Sequence, residues 1–325
     1  MRSAQYLSRI FTGLAGIALL GGIAGSAPQS AADQIPLIAH ARVAPHRADD
    51  GSLRRGPHNE VDTSNWSGYE VANFQTGETY TAASASWTVP KVSYVAPPPV
   101  CHTYRYGRQS YQFCSSPSAS AEYSSSWVGI GGFCENANCT SVDNSLIQLG
   151  TEADVSSRGQ TQYYAWIEML PEYPILISAS YPNCNSLSCA YPVKPGDAIT
   201  ASLTCQSGCA TPGANQTWLL TMSDATEHWN FAKTVSYSSS LLSAVWIQEA
   251  PSSTGGVLPL ADFGTVKLDP INGADGVTPT LSLAANAIQM IDPYGETANP
   301  SAPDGFGFAV CWGNNANSIA ACPAP

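Results

Sequence analysis

From Asn65 onward, apolar and polar residues alternate in short runs. Residues 80–89 end at Pro90, residues 162–169 stop just short of Pro171, and residues 198–204 follow Pro195-Gly196-Asp197. Residues 218–222 and 244–248 continue the series. The runs are rich in β-branched and aromatic residues, which suit a pleated surface, and Gly, Pro, Asn or Asp bound them. No long stretch keeps the 3.6-residue period of an amphipathic helix. Many short strands at fairly regular spacing predict an all-β sandwich or barrel. The proline-rich stretch Ala96-Pro97-Pro98-Pro99 opens a loop expected to lie outside the core.

The N-terminus breaks this pattern. Arg2 and Arg9 precede a short apolar run over residues 10–20, and small residues follow through Ala27. A basic head, a short apolar run and a small-residue cleavage region make residues 1–27 a secretory signal peptide. The run is shorter than the roughly 20 residues a membrane span needs, and no second one occurs, so no membrane association is expected. Residues 28–60 carry Arg42, Arg47, Arg54 and Arg55 and His40, His46 and His58, with little apolar periodicity. They read as a pro-segment, with Arg54-Arg55 as a processing point, ahead of one β-sandwich domain over residues 61–325.

Charged residues are only 11% of the 325-residue chain, and the formal net charge is −11. From Val61 onward seven Lys and Arg face 20 Asp and Glu. Such a body repels nucleic acid. In acid its carboxylates are neutralised and few bases remain to repel one another. Ten cysteines follow the signal peptide and fall into sequential neighbours: Cys101/Cys114, Cys134/Cys139, Cys184/Cys189, Cys205/Cys209 and Cys311/Cys322. In a secreted chain they predict five local disulfides. No Cys-x-x-Cys occurs, and His102 and His228 fit no ligand spacing, so neither a metal nor another cofactor is expected.

There is no Gly-x-Ser-x-Gly elbow, no His-Glu-x-x-His and no pair of Asp-Thr/Ser-Gly loops. What remains is carboxylates, amides and tryptophans on strands. Residues 126–132, 146–151, 164–168 and 244–251 resemble, in order, successive blocks of the glutamic peptidase (eqolisin) family. Residues 65–69 and 87–90 resemble its opening strands, 260–264 the segment after its catalytic Glu, and 306–310 its final strand. The resemblance runs from about residue 64 to 312 and implies an antiparallel two-sheet β-sandwich of lectin-like jelly-roll type. It implies a secreted, pepstatin-insensitive acid endopeptidase acting on polypeptides, expected to be monomeric. The chain departs from the family at Gly131 and Val245, where acidic residues are common, and at Leu149, where Thr is common.

By that resemblance Gln148 and Glu249 are the catalytic pair, and Trp66, Trp127, Trp166 and Glu168 lie around the substrate cleft. The chemistry is coherent. A carboxylate can take the proton of an attacking water, and a side-chain amide can donate to the oxyanion without titrating in acid. Two other readings stay open: a non-catalytic sandwich binding carbohydrate or peptide, and a glycosidase using Glu168 and Glu249. A further expectation comes from charge alone. The basic pro-segment is held against the acidic cleft as an inhibitor, with Arg42 or Arg47 near Glu249.

Overall fold

The computed structural model describes residues 38–57, 59–97, 99–115, 119–177, 191–270, 286–304, 307–313 and 322. The expected signal peptide and the expected pair Cys184/Cys189 lie outside the described residues. Among the described residues, no helix is long and apolar enough to cross a membrane.

The strands begin with β1 (Val61–Thr63), β2 (Trp66–Ala72), β3 (Ala82–Thr88), β4 (Val100–Tyr106), β5 (Gln109–Ser115) and β6 (Glu122–Gly131). They continue with β7 (Leu146–Val155), β8 (Thr161–Met169), β9 (Ile175–Leu176), β10 (Ala198–Ser207), β11 (Gln216–Asp224), β12 (Trp229–Tyr237) and β13 (Ser243–Glu249). Then come β14 (Ser252–Ser253), β15 (Gly256–Val257), β16 (Thr265–Pro270), β17 (Asn286–Ile291), β18 (Thr297–Pro300) and β19 (Phe308–Gly313).

One hydrogen-bonded path joins most of them, in the order β12-β11-β10-β3-β16-β19-β18-β17-β2-β13-β6-β7-β8-β9. Neighbours on this path are antiparallel, while β1 runs parallel to β17 at its margin. The sheet bends back on itself, so that β3 and β10 pack over β6, β7 and β13. The expected two-layer antiparallel sandwich is borne out, with both layers drawn from one continuous sheet.

Alternation explains the core. Val128, Ile130, Ile147, Leu149, Ile167 and Trp246 from one layer meet Ala83, Ala85, Ile199, Leu203 and Leu220 from the other. Each large side chain buried there contributes about 1.5–3 kcal/mol. Two tryptophans tie the layers without leaving their N–H groups unpaired. Trp246 Nε1 donates to the carbonyl of Ser84 and Trp87 Nε1 to Oγ1 of Thr151, both at 2.9 Å.

The loop after Pro99 is a separate hairpin of β4 and β5, outside the core as expected, with Tyr104, Tyr106, Tyr111 and Phe113 exposed. Cys101 and Cys114 face each other across it and are bonded. Cys134–Cys139, Cys205–Cys209 and Cys311–Cys322 are also bonded, as the spacing predicts. His228 sits in the turn between β11 and β12 with φ 59°, a local conformational role.

An unusual number of carboxyls are buried. Glu70, Glu152, Asp154, Glu168 and Glu249 have no exposed surface. Burial disfavours the charged form. It pushes Glu70 up to about 8, against the opposing hydrogen bond from Asn286. It pushes Asp154 up to about 8, and Glu296, beside Asp292, up to about 9. These groups bind protons more tightly folded than unfolded, where the reference values are 3.8 for Asp and 4.5 for Glu. Their stabilising contribution is therefore fully present below the unfolded values and is lost as pH rises through the folded ones. The melting temperature of the full chain, followed by circular dichroism across a pH series, is expected to be highest in acid below about pH 4 and to fall toward pH 8–9. A melting temperature that rose over that interval would contradict this.

Candidate active site

Side chains of a strand alternate between faces, so register decides which residues meet. On the face of β2, β13, β6, β7 and β8 turned away from the main core, three rows form. Trp66, Glu249, Ser125, Glu152 and Tyr164 are neighbours in the first. Gly68, Ile247, Trp127, Gly150 and Trp166 make the second. Glu70, Val245, Gly129, Gln148 and Glu168 make the third. All six residues expected at the site thus share one face.

Gly150 leaves the middle row open. A Cβ there would lie 2.4 Å from Cβ of Trp127 and 2.5 Å from the Ser126 carbonyl. Bare backbone is therefore what separates the Trp127 and Trp166 indoles along the row. Trp127 Nε1 donates to Oε2 of Glu249 at 2.8 Å, and Trp66 packs edge-on against Trp127 with centroids 4.9 Å apart. Gln148 Nε2 donates to Oε2 of Glu168 at 2.9 Å, so the paired neighbours of β7 and β8 orient one another.

A segment from the N-terminal side fills this cleft, and His40 is its centre. The imidazole stacks on Trp166, with ring centroids 3.6 Å apart and planes 9° from parallel. Its Nδ1 lies 3.1 Å from Oε2 of Glu249 and its Nε2 3.5 Å from Oε2 of Glu152. The His40 backbone N–H donates to Oε2 of Glu168 at 3.2 Å, and its carbonyl accepts from Nε2 of Gln148 at 3.2 Å. Trp66 Nε1 donates to the carbonyl of Ala41 at 3.0 Å. Asn65 brackets the following residues, donating to the Arg42 carbonyl at 2.9 Å and accepting from the Ala44 N–H at 2.8 Å.

This corrects the charge-based expectation that Arg42 or Arg47 sits near Glu249. Arg42 hydrogen-bonds Asn144, and Arg47 reaches the carbonyls of Gly51, Asn138 and Cys139. Arg54 pairs with Asp62 at 2.9 Å, and Arg55 binds the carbonyls of Asn59 and Ala137. A guanidinium cannot shed its charge, so burying it among acids that are themselves neutral is costly. An imidazole can be buried uncharged.

The electrostatics follow from enclosure. Burial pushes the Glu249 carboxyl well above its usual range, and neighbouring Glu168 adds to this. Hydrogen bonds from the Trp127 and Trp66 indoles and the Ala41 backbone N–H oppose the rise. Burial drives Glu152 upward too, reinforced by Asp154, and drives the His40 imidazole well below its usual range. Glu168 is pushed up to about 8 by burial, against the His40 N–H and Gln148. Enclosure thus favours the neutral form of both the acids and the imidazole. Glu152 and Asp154 were not singled out from sequence, although they share the parity of Gln148 on the same strand.

The chain is 29% identical over 217 residues to aspergillopepsin-2 of Aspergillus niger, a match covering 65% of this chain and 64% of that protein. It thus spans slightly less than two thirds of that relative. Among solved structures, scytalido-glutamic peptidase with a peptide-based transition state analogue has the same fold, with a TM-score of 0.50 and 20% identity. That likeness covers 77% of this chain and 98% of the other. The model of the peptidase A4 family matches residues 64–299, well over half of the sequence, and the chain belongs to that family.

Proposed function

We propose that the protein is a secreted endopeptidase that cuts polypeptides in acid, with Glu249 as general base and then general acid and Gln148 as the oxyanion donor. One observation carries the reading. A main-chain carbonyl, that of His40, accepts from Gln148 Nε2 at 3.2 Å while the same residue contacts the Glu249 carboxyl. An extended peptide therefore fits the cleft with its carbonyl on the amide donor and a carboxyl beside it. Membership of the peptidase A4 family supports the same reading.

In the proposed reaction, water enters beside Glu249, which must be ionised to receive its proton. Negative charge grows on the carbonyl oxygen and is held by Gln148 Nε2, whose other hydrogen is tied to Glu168. Glu249 then passes the proton to the leaving nitrogen. Glu168, protonated below about 8, holds the amide in place without adding a competing charge. Trp66, Trp127 and Trp166 form the walls around the bound backbone.

Residues 38–60 act as an inhibitory pro-segment in this reading. They occupy the cleft, enclose Glu249 and favour its protonated form, which cannot take a proton from water. The inhibition is steric and hydrogen-bonded rather than a long-range attraction of arginines. Chain trimming after the segment gives the active, monomeric enzyme.

Digestion of a denatured protein in acid, with pepstatin present, tests the activity. Wild type is expected to digest it. Glu249→Gln is expected to fold, by circular dichroism, and to lose all but a trace of activity, because an amide cannot accept the water proton. A folded variant with substantial activity would remove Glu249 from the mechanism.

Gln148→Ala is expected to lower kcat by roughly 10²–10³, the usual cost of one oxyanion donor. Glu168→Gln, which keeps an uncharged acceptor facing Gln148, is expected to retain most of kcat in acid, whereas Glu168→Ala is expected to lose much more. Equal kinetics for these two Glu168 variants would show that the residue does not position Gln148.

A further inference from the structure

The segment in the cleft does more than cover it: the backbone is anchored residue by residue. Ala39 pairs with Ser252 of β14 through two main-chain hydrogen bonds, 2.9 and 2.8 Å, as an antiparallel bridge. Beyond His40, the carbonyls of Ala41 and Arg42 accept from Trp66 and Asn65, and the Val43 N–H donates to the carbonyl of Gly132 at 3.0 Å. Main-chain atoms on both sides of His40 are therefore held without help from its ring. This is how an extended peptide substrate is gripped, by backbone pairing with side chains left to fill pockets.

One peptide unit lies across the two proposed catalytic groups. The His40 carbonyl oxygen is on Gln148 Nε2, and the His40 ring lies 3.1 Å from Oε2 of Glu249, so the unit that joins His40 to Ala41 lies at both groups. These are the partners that hydrolysis needs: an amide donor at the oxygen that becomes negative and an acid at the nitrogen that leaves. We infer that the bond between His40 and Ala41 is the enzyme's own first substrate, cut within the same molecule during maturation. This rests on the endopeptidase reading above.

The step is an ordinary hydrolysis. A water oxygen bonds to the His40 carbonyl carbon, its proton passing to Glu249. The carbon–nitrogen bond to Ala41 then breaks as Glu249 returns the proton to that nitrogen. His40 becomes a new C-terminus and Ala41 a new N-terminus. In the closed arrangement the imidazole lies against Oε2 of Glu249, the oxygen from which an attacking water would be activated. The backbone anchors do not depend on that contact. A swing of the ring off the carboxyl admits water while the peptide unit stays in place. The pocket between Trp166 and Glu152 is then the one that receives the side chain on the acyl side of the cut.

The full-length secreted chain, purified near neutral pH and moved to acidic buffer over a dilution series, tests this. Products are read by intact mass and N-terminal peptide mapping, and the same samples are assayed on a denatured protein. The expected result is an N-terminus at Ala41 among the earliest products, with a fractional rate independent of protein concentration. The Ala41→Pro chain, whose leaving nitrogen carries no hydrogen and is held in a ring, is expected to lose that product. Early cuts elsewhere with this bond intact, a rate proportional to concentration, or an unchanged product pattern in Ala41→Pro would overturn the inference. If the denatured protein is digested in those cases, the endopeptidase reading survives alone. If neither the chain itself nor any denatured protein is cut, both fall together.

Discussion

Five acids on one sheet face, with an imidazole and no lysine or arginine among them, set the terms for everything else in the cleft. Ionised carboxyls are costly to bury in such numbers without cations, so burial favours the protonated form of each. A neutral acid is a hydrogen-bonding group, not a base. The closed cleft is therefore a packed interior that favours uncharged groups, and on the proposed mechanism it becomes reactive only when water reaches Glu249 and its proton can leave. The same choice of residues suits the body as a whole, which carries few bases and loses its own repulsion as the medium turns acidic.

Register converts this composition into geometry. Gln148 and Glu249 are far apart in sequence, yet β6 lies between their strands and fixes both to one face. A shift of one residue in either pairing would turn the amide or the carboxyl into the main core. Gly129 and Gly150 occupy alternate positions on that face and keep it low between the tryptophans. The peptide in the cleft rests on backbone as much as on side chains.

Much of this was legible in the sequence. The runs at 162–169, 198–204 and 244–248 became β8, β10 and β13 nearly residue for residue, because alternation and flanking breakers report strand faces directly. The six residues named from the block pattern share one face for the same reason. Glu152 could have been found by extending the parity of Gln148 two steps along its strand. His40 could not. Its segment has no periodicity of its own, and it takes an extended form only because Ser252, Glu168, Gln148, Trp66 and Asn65 supply the partners for its main chain. Reasoning from charge favoured the arginines, but the cost of burying a permanent cation kept them at the rim and left the interior to a residue that can be neutral.

The four described disulfides have separations of 13, 5, 4 and 11 residues. Rings that small each constrain an unfolded chain less than long ones do, and none of them ties distant strands together. Their positions suggest a different benefit. Exposed loop tips are where chains are nicked, and a chain that acts as the proposed endopeptidase meets that hazard from its own copies. A break inside any of these rings leaves both new ends tethered within a few residues of each other. The damaged copy stays in one covalent piece, with its sheet pairings intact.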